Sequence, residues 1–177
     1  MIKRVRYFAG QLLGAEDFEA EQRYVIERFR RLNRWLHGWG IVGGLRVSVS
    51  PGEIVVSPGL ALDCLGNEIE LDRPASVALP AGGKASYLTV AFTERAVDPQ
   101  QAFFDPPAAD EVCVEYRRLE EAAVLALEPV DPARGHAPPA RRGGACGRAH
   151  PIAVARLVAI RSRWRLDPRF RPPRARR

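Results

Sequence analysis

The apolar pattern of the chain changes period once, at His37-Gly38-Trp39-Gly40. Upstream, Phe18, Gln22, Val25, Phe29, Leu32 and Leu36 recur at alternating four- and three-residue steps, which sets them on one stripe of a helix. Downstream, apolar residues alternate with polar ones or run in short blocks between turn residues, the pattern of strands joined by tight turns. A single switch of this kind predicts an α+β protein: one N-terminal helix followed by a mostly antiparallel β-sandwich or small barrel.

The helix is predicted over residues 15–37. Glu16, Asp17 and Glu19 fall in its first turn and Arg30, Arg31 and Arg34 near its end, as the helix dipole favours. Glu19–Arg23 and Glu27–Arg31 are i,i+4 pairs with the acid first. Gly14 stands at the N-cap and Gly38 at the stop. Ile26 and Trp35 widen the stripe formed by Phe18, Val25, Phe29, Leu32 and Leu36. Such a helix either lies on its own domain or packs against copies of itself. In either case Phe29 and Leu32 are expected to be buried. In the turn His37, Gly38, Trp39, Gly40, one glycine is expected at positive φ with Trp39 as the anchor. His37 is expected to satisfy the last helical carbonyls, with no ligand or catalytic role.

Strands are predicted over 41–49, 53–57, 60–64, 68–71, 76–79, 87–93, 112–127 and 152–161, with a bulge or close approach at Gly43 and Gly44. Residues 124–127 alone also suit a helix, because 119–127 is rich in Ala, Leu and Glu. Residues 97–111 read as a Pro- and Asp-rich loop whose Phe103 and Phe104 are either buried or mark a contact surface. The organisation expected is an N-terminal arm and helix (1–40), a β domain (41–127), a Pro/Gly/Arg-rich loop (128–150), returning strands (151–167) and a basic tail (168–177).

The 177 residues suffice for one full core. No run approaches the ~18 apolar residues of a membrane helix, and the start, broken by Arg6, Gly10 and Gln11, is not an ordinary export signal. Three cysteines, an odd count, fit a reducing compartment. Charge is uneven. Residues 1–133 hold 14 Lys+Arg against 20 Asp+Glu, whereas residues 134–177 hold 13 Arg against Asp167 alone. Of the 27 basic residues 25 are Arg. That bias suits a GC-rich genome but does not explain the clustering.

Catalytic signatures are absent: there is no GxSxG, P-loop or HExxH, and the one GxGxxG string, Gly38-x-Gly40-x-x-Gly43, lacks the strand–glycines–helix order of a phosphate cradle. Asp63, Glu68, Glu70 and Asp72 surround one hairpin, but Glu68, Glu70 and Asp72 alternate with Ile69 and Leu71, as a solvated strand face does. Cys113, His136, Cys146 and His150 could compose a Cys2His2 set. Cys146-x3-His150 has workable spacing, but no CxxC occurs and the other intervals are irregular. The simpler reading is a buried Cys113 and solvated loop groups. Arg169, Arg171, Arg174, Arg176 and Arg177 form a basic arm, preceded by alternating Arg161, Arg163 and Arg165, with Trp164 and Phe170 interleaved. Basic and aromatic residues together can bind nucleic acid. Such arms also dock on acidic protein surfaces.

The strings YFAGQLLGAEDFEAEQRYVIERFRRLNRWLHGWGIVGGLRV and VSPGLALDCLGNEIEL carry a set of words at residues 10–13, 17–18, 32–34, 36–40, 58–59, 61–63 and 66–69. This GQLL…DF…LNRxLHGWG…PGxALD set resembles a structural module of phage-tail-like contractile injection systems, and the resemblance covers most of residues 7–160. It departs at Gly14, where the module has Thr or Ser, and it leaves out the Arg-rich end. The resemblance implies a non-enzymatic structural or adaptor subunit of baseplate, cap or fibre, without cofactor, partnered by other particle subunits and by its own copies. It also implies a cytoplasmic protein within an assembled particle. The alternative is a nucleic-acid-associated β protein acting through its basic end. On the structural reading the tail is mobile in the isolated chain. In a particle it lies extended on a neighbour, since Pro168, Pro172 and Pro173 exclude helix.

Overall fold

Helix α1 begins where the acidic turn predicts, at Ala15, and runs over Ala15–Leu32. Gly14 has no side chain to offer, so only half a capping box forms: its N–H donates to Asp17 Oδ2 at 3.2 Å. The computed structural model describes residues 3–79, 82–83, 85–101, 114–138, 145–161 and 163–176. Past Leu32 the helix widens into one π turn, Asn33–His37, closed by the Gly38 N–H donating to Asn33 O at 3.0 Å. Gly38 has φ +76° and Gly40 φ +110°, and between them Trp39 is only 3% exposed. The chain thus leaves the helix by two left-handed residues that swing the indole into the core, as the turn was expected to do.

Among the described residues ten strands follow: β1 (Gly40–Gly44), β2 (Val47–Ser50), β3 (Glu53–Val56), β4 (Gly59–Leu62), β5 (Glu68–Leu71), β6 (Ala75–Ala78), β7 (Ala85–Gln101), β8 (Val114–Glu128), β9 (Ile152–Ile160) and β10 (Arg163–Leu166). They form three antiparallel sheets, ordered β1-β4-β5, β2-β3-β6 and β10-β9-β7-β8. The architecture is therefore α+β and mostly β. The core joins the sheets through Ile41, Ile54, Val56, Ile69, Leu88, Val90, Ile152 and Leu157. Fully burying each aliphatic side chain of this kind stabilises by about 1.5–3 kcal/mol. Alternation is cleanest in β5, where Ile69 and Leu71 point inward and Glu68 and Glu70 outward.

Several expectations need correction. The strand expected over 41–49 is two strands in different sheets: the register slips between Ile41 and Gly43, and Leu45 at φ +51° turns the chain. Residues 97–101 are not loop but the end of β7, paired through Gln101 with Val114 of β8. Residues 124–127, which also suited a helix, are strand. Phe103, Phe104, Cys113 and Arg177 lie outside the described residues.

The basic tail is also corrected. It is extended, but it lies on its own chain. Ile41 N–H donates to Pro173 O at 2.8 Å, Ala175 N–H to Ile41 O at 3.1 Å and Arg176 N–H to His37 O at 2.8 Å. Ala175 is buried, and Phe170 meets Tyr87 edge-on at 5.7 Å. The edge of β1 beyond β4 would otherwise leave unpaired backbone groups beside the core, and the tail satisfies them. Gly40 makes this possible, since a Cβ there would stand 2.7 Å from the Pro173 backbone.

Candidate functional site

The helix joins the β domain through polar groups and not through its apolar stripe. The turn between β4 and β5 is built on Asp63, 1% exposed. Its carboxylate accepts the backbone N–H groups of Leu65, Gly66 and Asn67 at 2.8, 2.8 and 2.9 Å, and the Asn67 side-chain amide at 2.8 Å. The turn so fixed presents its outer side to the helix. Arg30 Nε donates to Asn67 Oδ1 at 2.7 Å, Asn33 Nδ2 to Gly66 O at 3.0 Å, and Arg34 to Leu65 O. Gly66, at φ +92°, lies so close to the helix that a Cβ would sit 2.2 Å from Arg30 O. The Leu-Asn-Arg word and the Ala-Leu-Asp word, some thirty residues apart, are the two sides of one joint.

This mode of attachment leaves the stripe uncovered. Phe18, Val25, Phe29, Leu32 and Leu36 are between 42% and 58% exposed. The expected burial of Phe29 and Leu32 is therefore not met within this chain, because Arg30, Asn33 and Arg34 hold the helix by its polar edge. A groove of about 770 Å³ separates α1 from the β7–β8 ribbon and includes Ile26, Tyr116 and Leu119 in its walls. Beyond Val90 the ribbon loses β9 as a neighbour and continues as two strands. Its outer part is laced by Arg95–Glu120 at 2.7 Å and Arg118–Asp98 ion pairs, while Leu119 is 69% exposed.

The inner side of the same β4–β5 turn carries Cys64, fully buried. Its sulfur lies 3.8 Å from His136 Nδ1. His136 meets His150 edge-on with ring centroids 4.4 Å apart, and Trp39 packs against both rings at 5.6 and 5.9 Å. The ligand atoms of Cys64, His136, Cys146 and His150 all lie within 4.8 Å of one another. Burial pushes the Cys64 thiol up to about 12, with the Asp63 carboxylate adding in the same sense. Burial, and then the neighbouring His150, hold His136 below its ordinary value, so its ring is neutral at pH 7. His136, Cys146 and His150 are thus not independent solvated loop groups. The cysteine that joins them is Cys64, whose 72-residue separation from His136 gives no local spacing signal.

His37 was expected to satisfy the last helical carbonyls; its Nδ1 lies instead 3.1 Å from Arg176 O of the tail. Arg169, Arg171 and Arg174 are exposed, while Arg176 is half-buried. Asp167 ties the start of the tail, accepting from Arg156 at 2.8 Å and from the Arg169 N–H at 2.9 Å. Glu68, Glu70 and Asp72 face Glu120 and Glu121 across a groove of about 380 Å³.

No protein-family model matches the sequence, and no curated protein matches it significantly. Solved structures do match by shape. A chain of the TssK–TssF–TssG baseplate subcomplex of the type VI secretion system aligns over 97% of this chain and 62% of its own length, at a TM-score of 0.58 and 15% identity. A chain of a type VI secretion system baseplate complex aligns over 98% and 60%, at 0.58 and 16%. The crystal structure of TssK aligns over 97% and 42%, at 0.57 and 14%. The fold described above is therefore shared with these baseplate components, and this chain spans less than two thirds of their length.

Proposed function

We propose that this chain is a non-enzymatic structural subunit of a phage-tail-like injection particle, placed at a baseplate or an equivalent junction. The observation that carries the reading is the match of nearly the whole chain to baseplate components. The exposed apolar surface supports it. An amphipathic helix held by its polar edge, beside a two-stranded ribbon with Tyr116 and Leu119 uncovered, leaves large apolar side chains exposed for a partner to cover. A two-stranded ribbon is itself marginal in water and gains from a partner. We assign Phe18, Val25, Phe29, Leu32 and Leu36 to that contact, with a second copy or another particle subunit as the occupant. The groove walls carry Glu19, Arg23, Glu94 and Arg118, so charge can set the register of docking.

Particles purified from the source strain should contain the chain at fixed stoichiometry, and a photo-crosslinker at position 29 should trap a particle subunit. Phe29→Glu should keep the thermal midpoint within about 2 °C, since the site is exposed, yet prevent incorporation. Absence of the chain from purified particles, or normal incorporation of Phe29→Glu, refutes the reading.

A further inference from the structure

We propose that Cys64, His136, Cys146 and His150 form a structural zinc site that pins the segment around residues 133–150 to the core beside Trp39. The donor set is two thiols and two imidazoles, converging from three places in the chain to within 4.8 Å of one another. Tetrahedral zinc, with Zn–S about 2.3 Å and Zn–N about 2.0–2.1 Å, needs ligand separations of about 3.3–3.8 Å. The Cys64–His136 edge is already 3.8 Å, and the widest edge closes by about 1 Å, a side-chain adjustment.

An independent observation points to a ligand. His150 Nδ1 lies 2.9 Å from Pro151 O, which fixes the proton on Nδ1 and leaves the lone pair on Nε2. That Nε2 is buried and, among the described residues, has no hydrogen-bond partner. Buried polar atoms are rarely left so, and a histidine whose far nitrogen is anchored to a backbone carbonyl is the usual form of a metal ligand. Asp63, though adjacent, is not a competing donor, because both of its oxygens already accept N–H groups of the turn.

Two sulfurs and two nitrogens in tetrahedral array favour zinc over magnesium or calcium, which take oxygen ligands. Four protein ligands leave no open position, so the role is structural and not catalytic. On binding, Zn²⁺ displaces one proton from each thiol. Both protons pass to solvent, and the site is left neutral. The segment needs such a clasp. Among its described residues only Ala133 and Ala145 are apolar groups packed on the core, beside the two histidine rings against Trp39, while Trp39 Nε1 donates to Ala137 O at 3.3 Å. Apolar burial this slight does not hold a loop of that length.

The test uses the full chain purified under reducing conditions. Elemental analysis should find about one zinc per chain. Co²⁺ added to chelator-treated protein should give the visible bands and thiolate charge-transfer absorption of a tetrahedral S2N2 site. Cys146→Ser and His150→Ala should each weaken cobalt binding at least about 100-fold, and Cys113→Ser should leave it within about twofold. Cys146 is exposed, so its serine variant is expected to fold. Chelation should speed tryptic cleavage after Arg134 and Arg148. The proposal is overturned by zinc-free protein with an octahedral cobalt spectrum. A Cys64–Cys146 disulfide whose reduction restores no metal uptake also overturns it, as does a Cys113→Ser variant that loses metal as Cys146→Ser does.

Discussion

Replacing Asp63 by alanine tests the joint on which the helix and the Cys64 turn both depend. The carboxylate accepts four hydrogen bonds, and those from Gly66 N, Asn67 N and the Asn67 amide are buried. A buried donor left unpaired costs about 1–3 kcal/mol. Water entering the space of the lost carboxylate holds each cost near the lower end, so three donors give about 3 kcal/mol. That is a large share of the 5–15 kcal/mol stability of a typical domain and corresponds to a fall in Tm of about 6–12 °C at this chain length. Asp63→Asn keeps one oxygen for the three backbone N–H groups but sets a second amide against that of Asn67, and should cost about 1–2 kcal/mol. Urea unfolding followed by circular dichroism measures both, with the midpoint falling and the m-value unchanged. A loss under about 0.5 kcal/mol for Asp63→Ala would show that the turn does not depend on the carboxylate.

Gly40→Ala should release the tail, because its Cβ would stand 2.7 Å from the Pro173 backbone at φ +110°. Faster amide exchange at Ala175 and Arg176, with tryptic cleavage after Arg171 or Arg174, would register the loss, and unchanged protection would contradict it. The Asp167 carboxyl is held below the usual carboxylate value, first by the Arg169 N–H and then by Arg156. A lowered folded pKa means its stabilisation is full above the ordinary value of about 3.9 and is lost as pH falls through the lowered one. Protection of the Arg169 amide, taken relative to the intrinsic exchange rate at each pH, should therefore fall on acidification below about pH 4 and stay flat from there to neutrality. An onset near pH 6 would assign the change to another group.

The helix and most strands were legible because their signal is local. Ile69 and Leu71 alternate with Glu68 and Glu70, and one face is buried. The acidic first turn marks where α1 begins. The register break after Ile41 was visible only as two glycines. Contacts made by backbone alone left no trace: nothing in the side chains of 173–176 announces that their amides and carbonyls complete β1. The Cys/His cluster was half legible. His136, Cys146 and His150 are close in sequence, whereas Cys64 enters through a turn whose geometry depends on Asp63. The uncovered stripe was foreseen as apolar, but whether its own domain covers it turns on how Arg30, Asn33 and Arg34 dock, which periodicity does not encode.

The pairing of His37 with Arg176, 139 residues apart, has a consequence for biosynthesis. At ribosomal rates of about 5–20 residues per second, the partner of the helix–strand turn is polymerised about 7–28 s after the turn itself. Throughout that interval the outer edge of β1 is open to any extended segment within reach, and Ile41 can recruit a wrong strand as readily as the right one. Completion of the native edge thus waits until residues 173–176 have been made. A stalled or truncated chain would present a sticky, half-finished sheet to the nascent copies around it.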